Sequence, residues 1–319
     1  MKKVCIIVLL ATMVLSVGFA AGVQEQAKEF PAKDITLIVP FAPGGGTDAL
    51  ARKLAEIVTA QSGTNVIVEN KTGGSGAVGM AEGAAAKADG YTVTMTTVEV
   101  VLLPAAKLAN FQVSDFKGII RVNFDAAALI VPKNHPANTL QEFVNHAKNN
   151  RVVLNVSAFP TNYWLCGAML KDKAPDANIV LVEEPNGAAQ QIANMLGGHV
   201  DAIICTMAEA DQYVASGQFK FIAVASEERN ETYPTVPTFV ESGYDISVGT
   251  WRGFMVPKNT DSAVVAKLDE MFTSAYQSKD FQDFLKTMKF GAGYLNSADF
   301  AALCEQQAVQ YGPVIAQYL

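Results

Sequence analysis

Twice within its first hundred residues, a short β-rich run breaks into a glycine-rich turn and then into a helical pattern. Ile35, Thr36, Leu37, Ile38 and Val39 are apolar and mostly β-branched, as a buried strand requires. The run stops at Pro40, and Pro43-Gly44-Gly45-Gly46 follows as a turn. Thr47 or Asp48 can cap a helix whose apolar positions Leu50, Leu54, Ile57 and Val58 recur at helical spacing. Val66-Ile67-Val68 then leads into Gly73-Gly74-Ser75-Gly76 and a helix of small residues over 77–86, and residues 91–96 read as a third strand. Strands joined by helical crossovers predict an α/β fold with a parallel sheet.

The same rhythm returns later. Residues 126–131 form an apolar strand that ends at Pro132, and Thr139-Leu140-Gln141-Glu142 is a capping box before Phe143 and Ala147. Strands are expected at 152–156, 179–182, 200–205, 221–225 and 251–256, with helices at 163–170, 188–196, 262–276 and 297–317. The stretch before 126 shows no regular period. The second series is long enough to form a sheet of its own, and a chain of 319 residues is long enough for two α/β lobes. No Gly/Ser linker or charge block separates them.

Residues 1–22 carry a different pattern. Lys2 and Lys3 precede an apolar run over 4–17, and Gly18-Phe19-Ala20-Ala21-Gly22 supplies small residues for cleavage after Ala20 or Gly22. This predicts a secretory signal peptide, too short in its apolar part for a membrane span, and an exported mature chain. Cys5 lies too early for lipid attachment. The remaining cysteines, Cys166, Cys205 and Cys304, are too sparse for a disulfide framework, and His135, His146 and His199 show no metal-binding spacing. With 24 Lys+Arg against 31 Asp+Glu and no basic block, nucleic acid is a poor partner. A small anion is not excluded, because a local cluster of donors can hold one inside an acidic protein.

Three chemistries compete for the glycine-rich turns. Gly74-x-Gly76-x-x-Gly79 with Glu99 twenty residues on imitates a dinucleotide fingerprint, but it follows the second strand of an exported chain. Gly73-x-Ser75-x-Ala77 imitates a nucleophile elbow, giving an exported serine hydrolase as the alternative function, yet no histidine spacing supplies a base. The third reading uses backbone alone: two unblocked helix N-termini side by side at a sheet edge can hold a carboxylate without a basic side chain. Tight turn geometry with no ligand stays open beside it.

The residues also carry a resemblance. Residues 35–48, Val68-Glu69-Asn70, Gly74-Ser75-Gly76-Ala77-Val78-Gly79, Ala88-Asp89-Gly90-Tyr91-Thr92, Leu196-Gly197-Gly198-His199-Val200-Asp201, Val236-Pro237-Thr238, Glu241-Ser242-Gly243 and Trp251-Arg252-Gly253 resemble the Bug-type substrate-binding proteins of tripartite tricarboxylate transporters, in order along the mature chain. The resemblance implies a two-lobed, type II-like periplasmic-binding-protein fold with a ligand cleft and two crossover strands. The lobes are expected at 23–124 with 249–319, and at 125–248. It implies a non-enzyme that takes up a small organic carboxylate as a monomer and hands it to membrane permease subunits, with no cofactor or metal; presentation to a sensor protein is a further alternative.

By the same resemblance, two first-lobe loops grip the carboxylate through main-chain groups and water. They correspond to Phe41, Gly44, Gly45, Gly46, Thr47 and Asp48, and to Ser75, Gly76, Ala77 and Val78. The second-lobe candidates are Thr161, Asn162, Glu184, Asn186 and Thr206. Here the chain departs from the family. A loop usually reading Ser-Pro-Gly-x-Gly-Ser before a helix-initial His is Ser157-Ala158-Phe159-Pro160-Thr161-Asn162-Tyr163-Trp164, and Val-Pro-Tyr-Lys-Gly becomes Glu183-Glu184-Pro185-Asn186-Gly187. If Glu183 and Glu184 face the cleft, they repel a second carboxylate and disfavour citrate-like ligands.

Exported protein is expected to begin near Ala21 or Val23. Intact-mass measurement showing that Met1 is retained refutes the signal-peptide reading.

Overall fold

A computed structural model describes residues 30–319, so the expected signal peptide lies outside the described residues. Strand β1 (Ile35–Val39) pairs in parallel with β2 (Val66–Asn70) on one side and with β3 (Thr92–Thr97) on the other. The crossovers are α1 (Gly46–Ser62) and α2 (Ala77–Ala84), the latter entered through a single 3₁₀ turn at Gly74–Gly76. A short α3 (Glu99–Ala105) follows β3.

The last part of the irregular stretch before residue 126, from Phe116, is strand. The long β4 runs over Phe116–Pro132, and its aperiodic look has a physical cause. The ladder with its neighbour shifts between Gly118 and Ile120 and between Arg121 and Asn123, so the side-chain alternation slips each time. The first part of β4 pairs antiparallel with β9 (Gly249–Pro257), from Phe116↔Pro257 to Ala126↔Gly249. Its last part pairs with β7 (Ala202–Thr206) and β8 (Phe219–Val224). Beyond β7 lie β5 (Val152–Ser157) and β6 (Ile179–Glu184), all in parallel register. The strand order is β2-β1-β3-β9-β4-β7-β5-β6, with β8 and β10 (Ala292–Leu295) also pairing with β4.

The later helices are α4 (Leu140–Asn149), α5 (Asn162–Lys173), α6 (Ala188–Leu196), α7 (Met207–Ala215), α8 (Ser262–Gln277), α9 (Lys279–Thr287) and α10 (Ser297–Ala316). They cover both faces of the sheet. Ala127, Leu129 and Val131 of β4 are buried with Leu140, Phe143 and Leu165, while Ala128 and Ile130 are buried with Ile192, Met207 and Ala210. A strand covered on both sides has no polar face, which is why residues 126–131 read as an unbroken apolar run. α10 ties the end of the chain to the crossing strands: Trp251 Nε1 donates to Gln307 Oε1 at 3.0 Å, and Tyr311 Oη donates to the Ser247 carbonyl at 3.1 Å. No helix among the described residues is long and apolar enough to cross a membrane.

Two glycines explain themselves by packing. A Cβ on Gly79 would stand 2.7 Å from the Lys71 carbonyl and 2.9 Å from Pro40, so this glycine lets α2 close on β1. A Cβ on Gly249 would collide with the Asp125 carbonyl, where β9 begins beside β4. Gly249→Val is therefore expected to cost about 1–3 kcal/mol or more, as overpacking against fixed backbone does. Urea unfolding should show a lower midpoint at unchanged slope; an unchanged midpoint refutes the tight crossing.

Candidate functional site

Strands β1, β2 and β3 run in one direction, and α1 and α2 start where β1 and β2 end. Strands β5, β6 and β7 run the opposite way, because β9 and β4 pair antiparallel between the two groups, and α5, α6 and α7 start at their ends. Four of these helices begin without a side-chain cap. Gly45, Gly76, Thr161 and Gly187 stand at the N-cap positions of α1, α2, α5 and α6, and none supplies a capping hydrogen bond. Helices α4, α8, α9 and α10 are capped by Thr139, Asp261, Ser278 and Asn296. The first backbone N–H groups of any α-helix lack an intrahelical acceptor. At α1 they are left to whatever occupies the edge, beside the positive end of the helix dipole. At α2 the preceding 3₁₀ turn takes them, Gly76 N and Val78 N donating to the Gly73 carbonyl at 3.0 and 3.3 Å and Ala77 N to the Gly74 carbonyl.

The first turn is held rigid from its rear. Asp48, buried in the first turn of α1, accepts from the Gly44 N–H at 2.8 Å, from Asn70 Nδ2 at 2.8 Å and from Arg52 Nε at 2.9 Å. Asn70 Nδ2 also donates to the Phe41 carbonyl at 2.9 Å. Burial raises the Asp48 pKa, but the hydrogen bonds from Arg52, Gly44 and Asn70 outweigh it and hold the carboxyl below the usual range. Asp48 thus faces the turn it supports. Gly44 needs its glycine, with φ +82°. Gly45 does not: its φ is −76° and a Cβ there would meet only the Ala42 carbonyl, at 3.6 Å.

The second turn lies against the first. Ser75 adopts a left-handed conformation (φ 55°, ψ 34°), and a Cβ on Gly76 would stand 3.2 Å from the Phe41 ring. Ala77 and Val78 begin α2, with Val78 half exposed. The left-handed Ser75 fits the geometry of a nucleophile elbow, but the histidines lie elsewhere: His135 and His146 stack with ring centroids 5.0 Å apart, and His199 follows α6. Glu99, expected on a ribose in the dinucleotide reading, is buried and hydrogen-bonded to Thr97.

The second half contributes a more closed wall. Thr161 Oγ1 turns back to the Ala158 carbonyl at 2.7 Å and to Ser157 Oγ. Asn162 Nδ2 donates to Thr250 Oγ1 on β9 at 2.8 Å. Thr206 caps α7, donating to Glu209 Oε2 at 2.7 Å, and Tyr163 Oη donates to the same oxygen at 2.9 Å. The Glu184 carboxylate accepts from Asn186 N, Asn186 Nδ2 and Asn194 Nδ2. Glu183 accepts from the Phe159 N–H at 3.1 Å. Glu183 thus holds the loop before α5 and Glu184 its own loop and α6, both engaging backbone or amide donors.

Sequence reasoning passed over a central group. Arg252, two residues beyond Thr250 and on the same face of β9, is 9% exposed. Its Nε donates to Thr47 Oγ1 at 3.0 Å, its Nη1 pairs with Asp125 at 3.1 Å, and its guanidinium lies over the Phe290 ring at 4.9 Å. Asp125 also accepts from Gly291 N at 2.7 Å and Asn123 Nδ2 at 2.8 Å. Burial pushes the Asp125 carboxyl up, and Arg252 opposes that. The available signal was a basic residue inside an otherwise apolar strand, which marks a paired, buried charge. Asp125 and Phe290 gave none, because only the fold brings them beside β9.

Comparison with known proteins places the chain in a family. The model of the tripartite tricarboxylate transporter family receptor, TctC, matches residues 50–318. A Cupriavidus necator protein described as "UPF0065 protein in gbd 5'region" is 30% identical over 92% of this chain and 90% of its own. A TctC solute binding protein from Polaromonas superposes with a TM-score of 0.85 at 33% identity, covering 90% of this chain and 99% of its own. Periplasmic binding protein BugD gives 0.70 at 29% identity, covering 90% and 98%. The fold alone is shared with Rhodopseudomonas palustris MatC with bound malate (24% identity, TM-score 0.70, 90% and 100% covered) and with an R. palustris protein with adipate (22%, 0.72, 90% and 97%). The fold is the two-lobed α/β fold of periplasmic binding proteins. The chain belongs to the TctC family, and it is a solute-binding protein of that family.

Asp48→Ala is expected to destabilise by about 1–3 kcal/mol, by orphaning the Gly44 and Asn70 donors. The folded pKa is depressed, so the contribution is complete above the ordinary carboxylate range and is lost as pH falls through the folded pKa. Denaturation at pH 7 and pH 2.5 should show the wild-type advantage shrinking in acid; an equal gap at both refutes the buttress.

Proposed function

We propose that the protein captures a small organic carboxylate outside the cytoplasm and delivers it to the membrane subunits of a tripartite tricarboxylate-type transporter, without catalysis. The observation that carries this reading is the pair of uncapped, glycine-built helix N-termini at one sheet edge, α1 behind Gly45 and α2 behind Gly76. The proposed contacts are the main-chain groups of Gly45, Gly46, Thr47 and Ser75, with Phe41 and Gly44 shaping the first turn and Gly76, Ala77 and Val78, whose N–H groups are held by Gly73 and Gly74, shaping the second. Asp48 serves as their support. In the second half, Thr161, Asn162, Asn186 and Thr206 line the distal wall. The bound malate of MatC and the adipate of the second R. palustris protein support a carboxylate as the ligand class.

Glu183 and Glu184 hold loop donors, which weakens the argument that they repel a second carboxylate and leaves dicarboxylates as candidates. Family membership supports a periplasmic location. The proposed lobes are residues up to 124 with 249–319, and residues 125–248, hinged near Asp125 and Gly249. On that division Lys289, paired with Asp211 at 2.8 Å, is a lobe-to-lobe ion pair that favours the closed arrangement.

Thermal-shift screening over organic acids tests the reading, since a ligand at a hundred times its Kd stabilises by about 2.7 kcal/mol. Gly45→Val should stay folded, because its φ and surroundings accept a side chain, yet lose at least tenfold in affinity for the acid found. Affinity within a factor of two of wild type excludes the turn as the site. Small-angle scattering should show a smaller radius with the acid present; an unchanged profile counts against hinge closure.

A further inference from the structure

We propose that Arg252 sets the charge preference of the first turn, making the site favour an ionised carboxylate over an uncharged amide of the same shape. The inference rests on the carboxylate-binding reading above. Helix N–H donors alone discriminate poorly here, because a carboxylate oxygen and an amide carbonyl both accept from them. A fixed cation tells the two apart. The other basic side chains near the two turns are directed away from that task. Arg52 engages Asp48 and Asn70, and its side chain is half exposed. Lys71 pairs with Glu69 and Glu82.

Arg252 differs in burial and in aim. Its guanidinium is fixed on three sides, by Thr47 in the first turn of α1, by Asp125 on β4 and by the face of Phe290. Its Nη2 lies 3.6 Å from where a Cβ on Gly46 would stand, so the cation borders the first helical residue behind the glycine turn. The guanidinium fork carries five N–H donors, and Nε and Nη1 account for only part of them. Asp125 is itself anchored by Gly291 N and Asn123 Nδ2, so it orients Arg252 without moving towards the turn. A buried charge shielded from water acts over the short distance to the turn with little screening by salt.

Substitution separates charge from support. Arg252→Gln alone leaves Asp125 buried and unpaired, so the informative variants are R252K, the neutral pair R252Q/D125N, and D125N, which keeps Arg252 while removing the opposing acid. Each is checked for folding by circular dichroism and titrated calorimetrically with malate, adipate and their diamides, with aspartate and benzoate as further acids. Wild type should prefer acid to diamide by at least a hundredfold. R252K should keep that ratio within about fivefold, R252Q/D125N should lose at least tenfold in acid affinity with diamide affinity changed less than threefold, and D125N should bind acid at least threefold more tightly. If acid and diamide weaken together in R252Q/D125N, or if D125N leaves acid binding unchanged, Arg252 only positions the turn and the proposal is overturned. Wild type that binds none of the acids overturns the carboxylate reading itself.

Discussion

The antiparallel pairing of β4 with β9 is the constraint on which the rest of the molecule depends. The two strands run together from Phe116↔Pro257 to Ala126↔Gly249. Just beyond, Ala127 N donates to the Val248 carbonyl and Val248 N to the Ala225 carbonyl, so the neighbours change from one set of strands to the other within a few residues. Strands β1, β2 and β3 join on the β9 side, and β5, β6 and β7 join on the far side of β4. The close approach at Gly249 is possible only because no Cβ stands between it and Asp125.

From this crossing, β9 organises the candidate site. Its side chains alternate, so Thr250 and Arg252 project from the same face. Thr250 receives the amide of Asn162 at the start of α5, and Arg252 reaches Thr47 at the start of α1. One strand therefore touches the N-termini of helices from both groups of strands. Asp125 makes a buried arginine tolerable, because a charge out of water is stable only when paired and hydrogen-bonded. The arrangement presents N–H donors, helix dipoles and a guanidinium to one region of the sheet edge, which suits an anion and offers little to a dinucleotide. The glycine at 79, which mimics the last position of a dinucleotide fingerprint, is required instead for the approach of α2 to Pro40 and Lys71.

Capping distinguishes helices that hold the frame from helices that face the edge. Thr139, Asp261, Ser278 and Asn296 satisfy first-turn donors of α4, α8, α9 and α10. Glycine and an inward-turned Thr161 supply no side-chain cap at α1, α2, α5 and α6. A glycine at the N-cap gives up only a few tenths of a kcal/mol relative to a capping side chain, so Gly45, Gly76 and Gly187 leave these helix starts without a side-chain cap at little cost in stability. Helix α7 is the exception among the helices that follow the parallel strands β5, β6 and β7: Thr206 and Glu209 close its capping box, which places its role nearer to scaffold than to the turns of α1 and α2.

The sequence by itself determined the local elements. Apolar runs, glycine turns and helical spacing located β1 to β3, the two turns and most later strands, because each is a short-range pattern of period 2 or 3.6. It also carried the family, through motifs that lie in order along the chain. It did not disclose the first part of β4, whose bulges break the alternation, nor helices α3, α7 and α9, nor β10. Residues 41–48 and 75–78 were legible as turns, but the duty of Asp48 was not, since its partners Asn70 and Arg52 meet it only after β1 and β2 pair. The union of Arg252, Asp125, Thr47 and Phe290 spans more than 200 positions of sequence, the Arg252–Thr47 bond alone being 205 apart. Only tertiary structure decides such a contact, because the antiparallel register of β4 and β9 sets which side chains share a face, and no local pattern encodes that register.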